Sequence, residues 1–357
     1  TEKCDETALD CSKQDFGPGE VIVLSWWLST DATAGLERVD ISENPIGGEG
    51  GTALVDAIPS SSLKTIKIGT SFEVTINECS GAALDCSNQK LGPGQLVVLS
   101  WWLSTEAIAG VDMSGNPISG AGKKYGSSTT WDKDIDADLV GVTALAKELP
   151  GSRIKVLILS ECGLGPKSIA IIASTLATAG LERVDVLGNP MGDSVQLLIG
   201  IFLKTKRIRT MCGIEEGTVS LDLSNRNMDP SNIRLLAVEL ESKRATAGVT
   251  RVDVLGNPMG DSVKLLIDIF LKTERIRTMC GIAEGTVKLD LSKRNMDPSN
   301  VRLLAVELES MRATAGVDRV DISHNMLIGS VNSKNLDYFG WEALCDVLPK
   351  SAVKSFK

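Results

Sequence analysis

Catalysis needs a base, a nucleophile or a metal, and these 357 residues are poor in all three. The chain has one histidine, His324, in the run Ile322-Ser-His-Asn. That removes most serine, cysteine and metal chemistries, which lean on imidazole. His324 stands at a turn position where related segments carry Gly188 or Gly256, so it is read as an exposed turn residue. Of eight cysteines, Cys4/Cys11 and Cys79/Cys86 are each seven apart, which is not a zinc spacing. Eight are also too sparse for a small disulfide scaffold. Buried free thiols are expected, with a Cys4–Cys11 or Cys79–Cys86 disulfide as the alternative. The run GGEGGT at 47–52 lacks the lysine of a phosphate loop, and Gly122-Lys123-Lys124 lacks the upstream glycine and the following Ser/Thr. Aspartates are plentiful, but glycoside chemistry needs two carboxylates in contrasting environments. The residues point away from an enzyme and imply no cofactor and no metal.

What the aspartates do have is order, and that comes from repetition. Residues 179–242 and 247–310 align without a gap and differ at nine of 64 positions. A looser pair, CDETALDCSKQDFGPG at 4–19 and CSGAALDCSNQKLGPG at 79–94, lies earlier. Each unit holds shorter cycles of 28–36 residues: an alternating run such as Ser220-Leu-Asp-Leu, a polar turn, then apolar residues at helical spacing. Ile233, Leu236, Ala237 and Leu240 make one such helix face. A strand, turn and helix this short cannot bury its apolar face alone, whereas stacked neighbours can. The expectation is a single α/β solenoid of about ten to twelve rungs. Residues 1–118 form its N-terminal part, 119–137 (SGAGKKYGSSTTWDKDIDA) a protruding inserted loop, and 138–357 its C-terminal part. Segments 207–219 and 327–338 read as further insertions, with a closing helix at 340–348.

The motifs VDISENPIGGEGGTALVDAI, VDVLGNPMGDSVKLLIDIF and LDLSNRNMDPSNIRLLAVEL resemble leucine-rich repeats of the ribonuclease-inhibitor class. The unit LKTxRIRTMCGIxEGTVxLDLS is similar to repeat arrays of unicellular algae, dinoflagellates especially. The resemblance covers nearly the whole chain. It implies a horseshoe with a parallel concave sheet and convex helices, and protein partners. One departure matters. The asparagine after the strand is kept only at Asn44, Asn116, Asn189, Asn257 and Asn325, while the alternate rungs place Gln14, Gln89, Arg226 or Arg294 there.

Strand side chains alternate faces, so with Leu221 and Leu223 inward Asp222 points to the concave surface. The same position holds Asp10, Asp40, Asp85, Asp112, Asp185, Asp253, Asp290 and Asp321, interrupted by Ile158 and Lys67. Like charges on strands about 4.8 Å apart repel unless offset. Arg38, Arg183, Arg251 and Arg319, two residues before an aspartate and on the same face, are the expected offset. The resulting lattice is either structural or a docking surface for a basic partner.

The second candidate surface is VLSWWLST, present at 23–30 and 98–105. Alignment with the later helices puts Val21, Leu24, Ser25 and Leu28 inward. Ile22, Val23, Trp26 and Trp27, and their copies Val97, Val98, Trp101 and Trp102, then face outward as an apolar convex patch. The alternatives are tryptophans packed on neighbouring rungs or under the 119–137 loop, and a strand in place of the helix. A net charge of -9 excludes a nucleic-acid footprint and favours cationic partners. No apolar run is long enough to span a bilayer, so any membrane association is peripheral. The chain opens at Thr1 without a methionine or signal region and is read as processed or partial. Its compartment stays open: intracellular, soluble or peripheral, or organellar. The functional expectation is a non-catalytic interaction or scaffolding subunit with protein partners inside a larger complex. An architectural subunit of a membrane-associated or photosynthetic assembly is the alternative; an inhibitor or GTPase-activating regulator is the competing class.

Overall fold

The computed structural model describes residues 7–76, 83–123, 131–329 and 336–357. They form two compact units, Thr1–Gly213 and Ile214–Lys357.

The first unit begins with β1 (Ala8–Asp10), α1 (Pro18–Leu28), β2 (Arg38–Asp40), α2 (Gly47–Ala57), β3 (Thr65–Lys67) and β4 (Glu73–Thr75). It continues through β5 (Leu84–Asp85), α3 (Pro93–Thr105), β6 (Gly110–Asp112), β7 (Gly122–Lys123) and β8 (Trp131–Lys133). Next come α4 (Val140–Glu148), β9 (Val156–Ile158), α5 (Pro166–Leu176), β10 (Arg183–Asp185) and α6 (Val195–Lys204). Strands β1, β2 and β3 pair in parallel, and β4 folds back antiparallel on β3. Strands β5, β6, β9 and β10 form a second parallel sheet. The helices stack in chain order, each against the next.

The second unit runs β11 (Ser220–Asp222), α7 (Pro230–Ser242), β12 (Arg251–Asp253), α8 (Val263–Lys272) and β13 (Lys288–Asp290). It ends with α9 (Pro298–Ser310), β14 (Arg319–Asp321), α10 (Phe339–Val347) and β15 (Ser355–Phe356). Strand β11 pairs with β12, and β13 with β14 and β15, all in parallel. Helices α7 and α9 start where the sequence asks: Asp229 and Asp297 cap free backbone N–H groups ahead of a proline in the first turn.

The core lies between sheet and helices, with Val39, Leu157 and Val252 from the strands and Ile41, Leu159 and Val254 just after them fully buried. Five asparagines explain why strands of only three residues hold register. Asn44 Nδ2 donates to Cys11 O and Ile41 O, at 2.8 and 3.1 Å, while its Oδ1 accepts from Gln14 N and Phe16 N. Asn116, Asn189, Asn257 and Asn325 repeat the pattern with Cys86, Leu159, Leu223 and Leu291. Each asparagine therefore satisfies backbone groups of its own rung and of the rung before it. One residue serves two rungs, which is why alternate rungs do without it.

One expectation needs correction and two gain detail. Residues 131–137 do not protrude: Trp131 is buried, and Asp136 accepts hydrogen bonds from Gly165 N, Lys167 N and Ser168 N at the start of α5. Ser119 Oγ likewise donates to Gly163 O at 2.7 Å. The reason is that α5 starts without a side-chain cap of its own and takes one from this segment. Within 207–219, Thr210 and Cys212 bridge to β10, so the insertion supplies a minimal extra strand; Thr278 and Cys280 do the same on β12. The thiols of Cys11, Cys86, Cys162, Cys212 and Cys280 are buried and free, whereas Cys345 is exposed. Cys4 and Cys79 lie outside the described residues, as do 124–130 of the inserted loop and 330–335 of the second insertion.

Candidate functional site

The aspartate ladder has the expected registers: Asp10 beside Asp40 beside Lys67, and Asp85 beside Asp112 beside Ile158 beside Asp185. In the second unit Asp222 stands beside Asp253, and Asp290 beside Asp321. All nine carboxylates have one local task. Oδ1 of each accepts the backbone N–H two residues on, at 2.8–3.1 Å, closing the turn that leaves the strand. That bond favours the charged form. Ser12, Ser87, Ser224 and Ser292 hold Asp10, Asp85, Asp222 and Asp290 below the usual carboxylate range. Ser323, followed by Lys357, takes Asp321 down to about 2.

The cations come from places the i, i+2 spacing did not indicate. Lys67 Nζ binds Asp40 Oδ2 at 2.8 Å and Lys357 Nζ binds Asp321 Oδ2 at 3.0 Å, each from the next strand's end. Arg294 reaches Asp253 at 2.8 Å, although burial still leaves that carboxyl raised. Asp40, also buried, is lowered overall, because Lys67 and Ser42 outweigh its desolvation. Of the expected arginines, Arg38 pairs with Glu73 at 3.2 Å, and Arg183 and Arg251 donate to the carbonyls of Gly213 and Gly281. Arg319 is exposed. Lys67 and Lys357 close the aligned segments ALVDAIPSSSLKTIK and ALCDVLPKSAVKSFK, so sequence alignment of those two stretches carried the signal.

In the first unit the concave face holds an open depression of about 470 Å³ between Asp85, Asp112, Lys155, Val156, Ile158 and Arg183. Ile158 interrupts the acidic row there, which leaves an apolar floor between charges of both signs.

The two VLSWWLST copies are both helical, and the inward set Val21, Leu24, Ser25 and Leu28 is buried. Their outer faces differ. In α1, Ile22, Val23, Trp26 and Trp27 are 44%, 65%, 70% and 39% exposed. In α3, Val97, Val98 and Trp102 are buried and Trp101 is half-buried, so these four do not extend the patch. The cause is position. Helix α3 lies between α2 and α4, while α1 packs substantially against α2 alone. Trp102 is further held by its indole N–H, which donates to Thr75 O in β4 at 2.9 Å; that hairpin covers it, not the 119–137 segment.

Glycine sets how closely these helices meet. A Cβ on Gly51 of α2 would lie 2.3 Å from Gly94 O of α3, and one on Gly94 2.1 Å from Gly47 O. Gly19, the α1 counterpart of Gly94, has nothing within 4 Å. The GGEGGT run is therefore a packing surface, not a phosphate cradle. Beside α1 lies an open groove of about 450 Å³ lined by Phe16, Gly19, Glu20, Val23, Leu24 and Trp27.

His324 is exposed with φ 61°, the left-handed turn conformation that Gly188 and Gly256 adopt at 73° and 76°. Among the described residues, no three His, Cys, Asp or Glu side chains converge as a metal site would need. No described helix is long and apolar enough to cross a membrane.

Residues 36–55, spanning β2 and most of α2, match the family described as Leucine Rich repeat. With parallel three-residue strands, an asparagine bridge between rungs and one helix per turn of the chain, the fold is an α/β solenoid of the leucine-rich-repeat type. No curated protein matches the chain significantly.

Proposed function

We propose that the protein is a non-catalytic interaction or scaffolding subunit that binds another protein through its repeats. The observation that carries this is the α1 face: Val23, Trp26 and Trp27, with Ile22 beside them, stand exposed where an octapeptide of identical sequence, on α3, is largely covered. Two tryptophans together bring several hundred Å² of rigid apolar surface, and tryptophan is enriched where interfaces concentrate their energy. The concave depression at Asp85, Asp112, Lys155 and Arg183 supports a second contact of mixed charge. The ladder carboxylates themselves serve the turns, which weighs against their being laid out for a cationic ligand.

The cycle of strand, turn and helix supports placing the repeats in the ribonuclease-inhibitor class. An architectural place in a larger, peripherally membrane-associated assembly fits the same apolar face.

The test is tagged purification from the source cells in low and high salt, with wild type beside Trp26→Ser/Trp27→Ser. A stoichiometric partner that survives high salt and is lost with the double substitution is expected. A partner retained by the double substitution would exclude α1 as the interface.

A further inference from the structure

We infer that the concave depression of the first unit takes a lysine or arginine side chain of a protein partner, with Asp85 and Asp112 as its counter-ions and Val156 and Ile158 as the floor beneath its methylenes. The inference rests on the reading of the repeats as a protein-binding surface and names what this second contact holds.

The ladder as a row serves its turns, but that duty takes only one oxygen of each carboxylate. Oδ1 of Asp85 accepts from Ser87 N at 2.9 Å, and Oδ1 of Asp112 from Ser114 N at 2.8 Å. The chain's own cations use the other oxygen. Lys67, Arg294 and Lys357 bind Oδ2 of Asp40, Asp253 and Asp321 at 2.8, 2.8 and 3.0 Å. Asp10, Asp222 and Asp290 lie in the fields of Lys67, Arg294 and Lys357. Asp85 and Asp112 differ: among the described residues neither makes an ion pair, and no cation stands in the field of Asp85. The two are register partners on β5 and β6, strands about 4.8 Å apart. Carboxylates so placed repel, and a cation shared by their Oδ2 atoms relieves both.

The space for it comes from small side chains. Gly110 opens β6 at the position where Arg38, Arg183, Arg251 and Arg319 open their strands. A Cβ there would stand 3.3 Å from that of Val156 and 3.7 Å from that of Ala83, so the depression sits over apolar atoms. Ile158, the register partner of Asp112, continues that floor. The cations on the far rim are already engaged. Lys155 Nζ binds Glu182 at 3.1 Å, and Arg183 Nε donates to Gly213 O at 3.0 Å. The open charge is therefore negative. An ammonium or guanidinium on an aliphatic stem fits, its head on the two Oδ2 atoms and its stem on Val156 and Ile158. A bare divalent ion would need more converging oxygens than these two carboxylates supply.

Amide NMR of the full chain, titrated with the blocked peptide Gly-Val-Lys-Val-Gly and its Arg, Gln and Glu versions, tests this. The Lys and Arg peptides should shift the signals of Asp85, Asp112, Val156 and Ile158. They should bind at least tenfold more tightly than the Gln and Glu versions, and less tightly as salt rises. Asp85→Asn/Asp112→Asn is the decisive variant. Asparagine keeps an Oδ1 for the turn, so melting should change little, yet binding should fall at least tenfold. Asp10→Asn/Asp290→Asn makes the same change in net charge and should leave binding as it was. Shifts spread along the whole ladder, or binding indifferent to the Asp85/Asp112 pair, would overturn the proposal. So would calcium chloride alone displacing the Lys peptide, which would make this a metal site. If no peptide binds but Trp26→Ser/Trp27→Ser still releases a partner, the cation pocket fails while the α1 reading stands; the opposite pair of results excludes α1 and keeps the pocket.

Discussion

Residue types here carry structural tasks that resemble chemistry. Glu307 is the strongest case: its carboxylate, on α9, accepts from Thr278 Oγ1 at 2.7 Å, from Cys280 N at 2.8 Å and from Met279 N. Burial nevertheless pushes its pKa up to about 7, against the pull of those hydrogen bonds. The folded protein thus holds the proton more tightly than the unfolded chain, and unfolding releases it between about pH 4.5 and 7. The contribution to stability is full below that window and is lost as pH rises through it. Urea melts should show wild type losing stability relative to Glu307→Gln from pH 4.5 to 7, by on the order of a few kcal/mol, then levelling off. A pH-independent difference would mean that Glu307 stays ionised in the fold.

Elements inherit their stability from what one residue does for two rungs. Asn116 makes contacts with Cys86 O, Met113 O and Leu91 N, all buried. Asn116→Ala leaves these without partners and is expected to cost about 2–4 kcal/mol in chemical denaturation. Asparagine at the turn was legible in the sequence, but its bond to the preceding rung was not, because the partners lie some thirty residues away. Helices α1 and α3 make the complementary comparison. Trp102→Ala should cost about 3–5 kcal/mol, since it empties a packed site and orphans Thr75 O. Trp26→Ser/Trp27→Ser should cost less, about 1–2 kcal/mol, because Trp26 faces mainly solvent and Trp27 is partly exposed. Equal losses in the two helices would show that α1 is covered in solution.

At the scale of the whole molecule, a chain of net charge -9 is expected to repel its own copies at long range. The α1 face is nearly free of that charge, so any assembly through it should tighten, not dissolve, as salt screens the rest. Titrating salt in the tagged purification checks this: an association that weakens with salt would point instead to the charged concave face. The acidic ladder was fully legible as a register of positions. Which aspartate each cation meets was not, because Lys67, Arg294 and Lys357 reach their partners from 27, 41 and 36 residues away.

The sequence alone determined the repeat, the strand-turn-helix cycle, the row of aspartates and the inward half of VLSWWLST, since all follow from local periodicity and from apolar faces that must be buried. Only the tertiary structure decided which of two identical octapeptides is covered. Burial depends on neighbours, and α3 has helices on both sides where α1 has one. The same reason turned Gly94 into a contact and left Gly19 open, a difference invisible to any reading of the residues themselves.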